Sequence, residues 1–177
     1  MSKTVRSRTE FSADAGRIRT ADAADASTCE ALAHAAYAKY VPRMSKPPSP
    51  LFYDYQEVVA AGHTYVFEHD GQVLAMNTLI PHQDHLLLRN LVVCPAWQGH
   101  GIGRRFMSFT EDLANRLERP EIRLWTNEAM WENVPYYEAY GYTVQAKRVV
   151  DGYTRIFMLK RLRPPDGKDG PVDGKHK

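Results

Sequence analysis

Cysteine is scarce in this sequence: Cys29 and Cys94 are the only two among 177 residues. A disulfide framework is therefore not expected, and a reducing compartment, the cytoplasm, is the default reading. Long apolar runs are missing too. Nothing approaches the roughly 18 consecutive apolar residues of a membrane-spanning helix, so no membrane partner is expected. The segment 1–20 has no apolar core, which argues against a secretory signal. Arg6, Arg8, Arg17 and Arg19 hint at an organelle presequence, but Glu10 and Asp14 oppose that reading. An excess of one charge is also lacking: 23 Lys and Arg face 21 Asp and Glu, a formal net charge of +2. Nucleic-acid binding asks for a concentrated basic face, so no such partner is expected. His82-Gln83-Asp84-His85 offers two histidines, short of the three or four ligands a zinc site takes. No metal is expected.

What is present is an ordinary globular composition, 44% hydrophobic and 25% charged. The length fits one domain, large enough to bury roughly two thirds of its unfolded surface without staples. Residues 1–15 are polar and small and read as a flexible arm. Residues 163–177 carry Pro164, Pro165, Gly167, Gly170, Pro171 and Gly174 among scattered charges and read as a flexible tail. The working domain is then 16–162.

Within it, Ile18–Thr20 reads as a short strand. Asp22 or Asp25 caps a helix over Ala26–Tyr40, rich in Ala and Leu. Val41–Leu51 carries Pro42, Pro47, Pro48 and Pro50, a spacing that leaves no helix or central strand. A loop of that length with aromatic flanks is expected to cover something. Asp54–Ala61 reads as a second short helix. Strands follow over His63–Glu68, Gln72–Ile80 and His85–Val93, the first two joined by Asp70-Gly71, a hairpin signal. Ile102, Phe106, Phe109, Leu113 and Leu117 keep a helical period. Then come a strand at Ile122–Thr126, a helix over Trp131–Tyr140 and a hairpin of Tyr142–Val150 with Tyr153–Leu159. The expected fold class is α/β (α+β), a mixed, mostly antiparallel central sheet flanked by helices.

The chemistry is concentrated in Leu91–Arg104, where a strand runs into a glycine-rich turn that opens a helix. Helix starts leave backbone N–H groups unpaired and carry partial positive charge. Glycines let the backbone turn and approach a ligand. The result is a cradle for a phosphate or pyrophosphate, with Gly99, Gly101 and Gly103 giving access and Arg104 and Arg105 adding charge. The phosphate-binding loop of nucleotide hydrolases needs a Lys after its last glycine, and Gly103 is followed by two arginines. The dinucleotide fingerprint G-x-G-x-x-G fails at its last glycine, where Arg104 stands.

Gln98-Gly99-His100-Gly101-Ile102-Gly103, after Val93-Cys94-Pro95, resembles the pyrophosphate loop of the GCN5-related N-acetyltransferases, or GNAT family. Asn133-Val134-Pro135-Tyr136-Tyr137-Glu138-Ala139-Tyr140-Gly141-Tyr142 is similar to that family's Asn…Tyr-Glu-x-x-Gly-Phe/Tyr segment, and the element order over about 18–160 matches. The resemblance implies a GNAT-like fold and acetyl-CoA as cosubstrate. It implies that Leu91, Val92 and Val93 pair with pantetheine, that Gln98, Gly99, His100, Gly101, Ile102, Gly103 and Arg104 hold the pyrophosphate, and that Asn133 bonds the pantetheine arm. Tyr137 is then the general acid beside the thioester sulfur. Tyr136 stays open for that role, because Asn133 lies three and four residues before the two tyrosines and helical spacing alone does not choose.

The activity so implied is N-acetyl transfer to a primary amine, a small molecule or a peptide, by direct attack in a ternary complex. Many family members pair, and a homodimer is the assembly carried over. Family members often place a carboxylate on the equivalent of Leu88-Arg89-Asn90, and here there is none. Glu132, Glu128, Asp84 and His85 are the candidates to accept the amine's proton. The missing carboxylate motivates an alternative, a non-catalytic acyl-CoA-binding module of the same fold. Phe52, Tyr53, Asp54 and Tyr55 are expected as acceptor contacts, with Asp54 attracting a cationic amine. Cys94 reads as a small buried filler.

Overall fold

The computed structural model describes residues 15–162. Apart from Ala15, the expected arm 1–15 and the expected tail 163–177 lie outside the described residues. Seven strands make one sheet: β1 (Arg17–Thr20), β2 (Thr64–His69), β3 (Gln72–Pro81), β4 (Leu86–Val93), β5 (Glu121–Asn127), β6 (Thr143–Val150) and β7 (Tyr153–Arg161), in the order β1-β2-β3-β4-β5-β7-β6. Every neighbouring pair is antiparallel except β4–β5. A parallel pair needs a long crossover. Helix α3 (Ile102–Arg116) supplies it.

Helices cover both faces. On one, α1 (Ala26–Tyr37) and α2 (Tyr55–Ala60) bury Cys29, Leu32, Ala33 and Val59 against Val66, Met76 and Val92. On the other, α3 and α4 (Asn133–Glu138) bury Met107, Ala114 and Tyr137 against Leu79, Leu86, Leu88, Ile122, Leu124 and Met158. Phe106 and Ile102 pack on Phe67, Leu74 and Ala75.

Three local expectations are corrected. Helix α1 stops at Tyr37, and the proline-rich stretch is not all loop. It holds 3-10 turns at Ala38–Arg43 and Ser49–Phe52. A 3-10 turn makes only a few i to i+3 bonds, so proline's missing N–H costs little there. Neither Asp22 nor Asp25 caps α1 with its side chain; both act on the 3-10 turn Ala23–Asp25 that leads into it. They form a reciprocal capping box, Asp22 receiving Ala24 N–H while Asp25 receives Asp22 N–H.

The feature that makes the site lies in the sheet. Thr78 pairs with Asn90 and Leu79 with Leu88, so Arg89 is an extra residue bulged from β4. Ahead of it, Leu86–Leu88 pairs with Ile122–Leu124; beyond it β4 and β5 share no pairs and part. An extra residue also flips side chains to the other face. Leu86 and Leu88 join the core under α3, whereas Val92 joins the core under α1.

Candidate functional site

The strands part at the C-terminal half of β4, and the glycine turn stands at its end. A 3-10 turn at Pro95–Trp97 leads into Gly99 and Gly101, both left-handed at φ 79° and 85°. An L side chain is strained in that conformation, and glycine is not. Gly101 is the N-cap of α3 and offers no capping side chain, so the amides of Ile102, Gly103 and Arg104 have no intrahelical acceptor. Gln98 Nε2 donates to Val93 O at 3.1 Å and ties the turn to the strand.

Gly103 is small for a different reason. A Cβ there would lie 2.6 Å from the Tyr136 hydroxyl oxygen. Its missing side chain makes room for a tyrosine of α4, bringing that helix against the start of α3.

Beside the fork is a cleft of ≈ 490 Å³. Leu91, Val92, Val93, Gln98, Gly99, Gly101, Ile102, Gly103, Arg104, Asn133, Tyr136 and Tyr137 all line it. His100 does not; its Nδ1 is 3.0 Å from Gln98 O and its ring meets Trp97 edge-on. Asn133 Nδ2 donates to Thr126 Oγ1 of β5 at 2.9 Å, bracing α4 across the open side of the fork. Tyr137 is buried, with its ring against Tyr136 and Tyr142. Burial first, then the neighbouring Tyr40, pushes its hydroxyl above the ordinary phenol range. Burial likewise raises Tyr136. Both remain O–H donors at neutral pH.

Of the four expected acceptor contacts, Tyr53 alone lines the cleft. Asp54 serves the backbone instead, its Oδ1 accepting from Gln56 N and Glu57 N to cap α2. Phe52 is 69% exposed. Tyr55 is buried in the α1–α2 core and donates to Pro50 O at 3.0 Å. The proton acceptors separate in the same way. Asp84 and His85 sit at the β3–β4 turn, away from the cleft, with Asp84 bonded to His85 and Arg123. Glu128 pairs with Lys147 and does not line the cleft. Glu132 does, and is its one carboxylate among the described residues. Desolvation pushes that carboxyl up, but its own backbone hydrogen bond, Arg43 and Lys39 outweigh this and hold it below the usual value. Among the described residues, no group of three or more His, Cys, Asp or Glu is placed to hold a metal.

Several lining residues escaped sequence reasoning. Tyr37 donates to the buried Asn90 Oδ1 at 2.7 Å, joining α1 to β4 just past the bulge. Tyr40, Met44, Tyr153 and Arg155 also line the cleft. Their positions depend on how distant segments fold back, and no local pattern marks them. The proline-rich stretch was legible as a cover, and its Pro48, Ser49 and Pro50 do form part of the wall.

Residues 60–144 match the profile of the acetyltransferase (GNAT) domain. Among solved structures, PaiA N-acetyltransferase from Thermoplasma acidophilum, in complex with coenzyme A, superposes with a TM-score of 0.71 at 15% identity, over 83% of this chain and 99% of that one. The ribosomal-protein-S18-alanine N-acetyltransferase from Escherichia coli gives 0.65 at 16%, over 91% and 99%. N-acetylglutamate synthase from Neisseria gonorrhoeae, complexed with coenzyme A and N-acetyl-glutamate, gives 0.67 at 16%, over 84% of this chain and 35% of that one. At such identities the likeness is one of fold. No curated protein matches the sequence.

Proposed function

Since the chain carries an acetyltransferase domain of the GNAT family over residues 60–144, we propose that it moves an acetyl group from acetyl-CoA to a primary amine by direct attack in a ternary complex. One observation carries the reading: free helix-start amides, a parted pair of strands and a proton-retaining tyrosine meet in a single cleft. The residues fit the cosubstrate. Two left-handed glycines shape the turn, nothing lies within 4 Å of Gly99's missing Cβ, and the amides of Ile102–Arg104, without intrahelical acceptors, suit an anion. Leu91–Val93, released from β5, has backbone groups available to a pantetheine amide.

The amine nitrogen attacks the thioester carbon, and negative charge develops on the carbonyl oxygen, where backbone N–H groups of the parted β4 stabilise it. The C–S bond then breaks. Tyr137 donates its hydroxyl proton toward the leaving sulfur, and burial keeps that proton in place until it is needed. The proton shed by the amine passes to solvent or to Glu132. The two free thiols, Cys29 and Cys94, fit a reducing compartment such as the cytoplasm.

The test pairs two measurements: acetyl-CoA binding by calorimetry and CoA release with a panel of primary amines. Binding with release on at least one amine is expected. Binding with no release on any amine makes the protein an acyl-CoA-binding module, and absence of binding removes the reading altogether.

A further inference from the structure

Resting on the acyl-transfer reading, we propose that the acceptor is a small molecule that carries a carboxylate as well as its amine, and that Arg89 and Arg155 hold that carboxylate. The cleft's charges point there. Among the described residues it is lined by the cations Lys39, Arg89, Arg104 and Arg155 and by one anion, Glu132. Arg104 stands in the first turn of α3, beside the glycine turn. Glu132 is already matched, by Arg43 at 2.9 Å and Lys39 at 3.8 Å. Arg89 remains, and with it Arg155, whose acidic neighbour is an exposed turn residue outside the cleft lining.

Arg89 is the bulged residue of β4, half-buried, with its guanidinium 4.7 Å from the centre of the Tyr53 ring. Among the described residues it has no carboxylate in ion-pair reach. Arg155 is 19% exposed and lies over Trp125, and its acidic neighbour, Asp151 at 3.6 Å, is a 76% exposed residue on the β6–β7 turn. A partly desolvated cation without a close counter-charge costs free energy, as at Arg89, and an exposed Asp151 compensates Arg155 only weakly. A guanidinium stacked on a ring keeps its in-plane N–H donors for a planar anion, which a carboxylate matches with two parallel bonds. Polyamines and other purely cationic acceptors meet the wrong sign of charge.

The roof sets the size. Tyr153 Oη donates to Pro47 O at 2.7 Å, Lys46 Nζ donates to Asp151 O at 3.2 Å, and Lys46 lies over the Tyr153 ring. The proline-rich stretch is thereby strapped to the β6–β7 hairpin, and Pro48, Ser49, Pro50 and Tyr153 form a wall that favours a small acceptor over an extended polypeptide. The ≈ 490 Å³ must also take the thioester arm, which leaves room for a free amino acid or a compound of that size. Tyr53, Trp125 and Tyr153 offer its body apolar, ring-lined walls.

The experiment compares kcat/KM for carboxylated amines (amino acids and aminobenzoates) with their amides and with a blocked lysine peptide, in the parent protein and in Arg89→Gln and Arg155→Gln. The acids are expected to be preferred. Each substitution should lower their kcat/KM roughly 10- to 100-fold, as loss of a charged hydrogen-bond partner does, with a much smaller loss for the amides and no loss of acetyl-CoA binding. Equal use of acids and amides, turnover of the lysine peptide at the rate of the acids, or an equal loss for both classes in the variants overturns the proposal and leaves acyl transfer standing. If no amine turns over, calorimetry of the carboxylated amines on the CoA complex decides. Binding that Arg89→Gln abolishes supports the proposal, and no binding refutes it. Failure of acetyl-CoA itself to bind instead removes the acyl-transfer reading.

Discussion

Tyr137 sits among Tyr136, Tyr142 and Tyr40, and this aromatic packing gives a phenol that keeps its proton at any physiological pH. Replacing it with Phe keeps the packing and removes the donor. Tyr137→Phe should lower kcat about 10²- to 10⁴-fold with acetyl-CoA affinity nearly unchanged. Near-parent turnover would shift the acid role to Tyr136 or to solvent. Tyr136 is also coupled to Gly103 by contact. Gly103→Ala places a Cβ against the Tyr136 hydroxyl and should destabilise the fold by about 1–3 kcal/mol, the usual cost of overpacking. Tyr136→Phe takes away the oxygen, and the next nearest atom, Cζ, is 3.6 Å away. The double variant should therefore regain most of the loss in urea unfolding. Additive losses would mean that the oxygen is not what Gly103 accommodates.

At the scale of elements, β4 does two jobs divided by one bulge. Its first half pairs with β5 and buries leucines under α3; its second half is parted from β5 and faces the cleft. The proline-rich stretch is tied to the last hairpin by one hydrogen bond from Tyr153 and the contacts of Lys46. Tyr153→Phe should cost only about 0.5–1.5 kcal/mol, a typical net hydrogen bond. It should nonetheless raise the acceptor KM while leaving acetyl-CoA affinity alone, and should speed proteolysis around 44–50. Unchanged KM and unchanged cleavage would show that the strap does not shape the acceptor end.

For the whole molecule, the ionisable groups bracket a stable pH range. The Arg19 guanidinium, bonded at 2.6 Å, holds the Asp25 carboxyl below its ordinary 3.8, opposed by desolvation. A depressed carboxylate adds stability above its unfolded pKa and loses it as pH falls through the folded one, so this contribution fades below about pH 4. Tyr37, Tyr55, Tyr136, Tyr137 and Tyr142 are all raised above the ordinary 10.0, chiefly by burial. The unfolded chain then releases protons first as pH climbs, and stability falls from about pH 10 upward. Thermal melts across pH should show both limbs. A melting temperature flat through pH 11 would contradict the burial of these phenols.

Strand and helix identities were legible along the chain because periodicity, turn residues and caps act within a few positions. The glycine turn was legible for the same reason: left-handed backbone and a helix start are local matters. Asp54 was misplaced because a side chain at a helix start has two uses, and only the folded chain showed that it caps α2. The bulge at Arg89 is a register shift between two strands, and the fork is the absence of pairing beyond it. Neither has a signature in β4 alone, whose alternation runs on through both. The union of Arg89, Trp125, Tyr153 and Arg155 in one cleft is likewise a matter of long-range pairing. Sequence dictated which pieces form and which turn leaves its helix-start amides uncapped; tertiary pairing decided where the sheet opens and which charges meet there, because register and closure join residues that no local interaction connects.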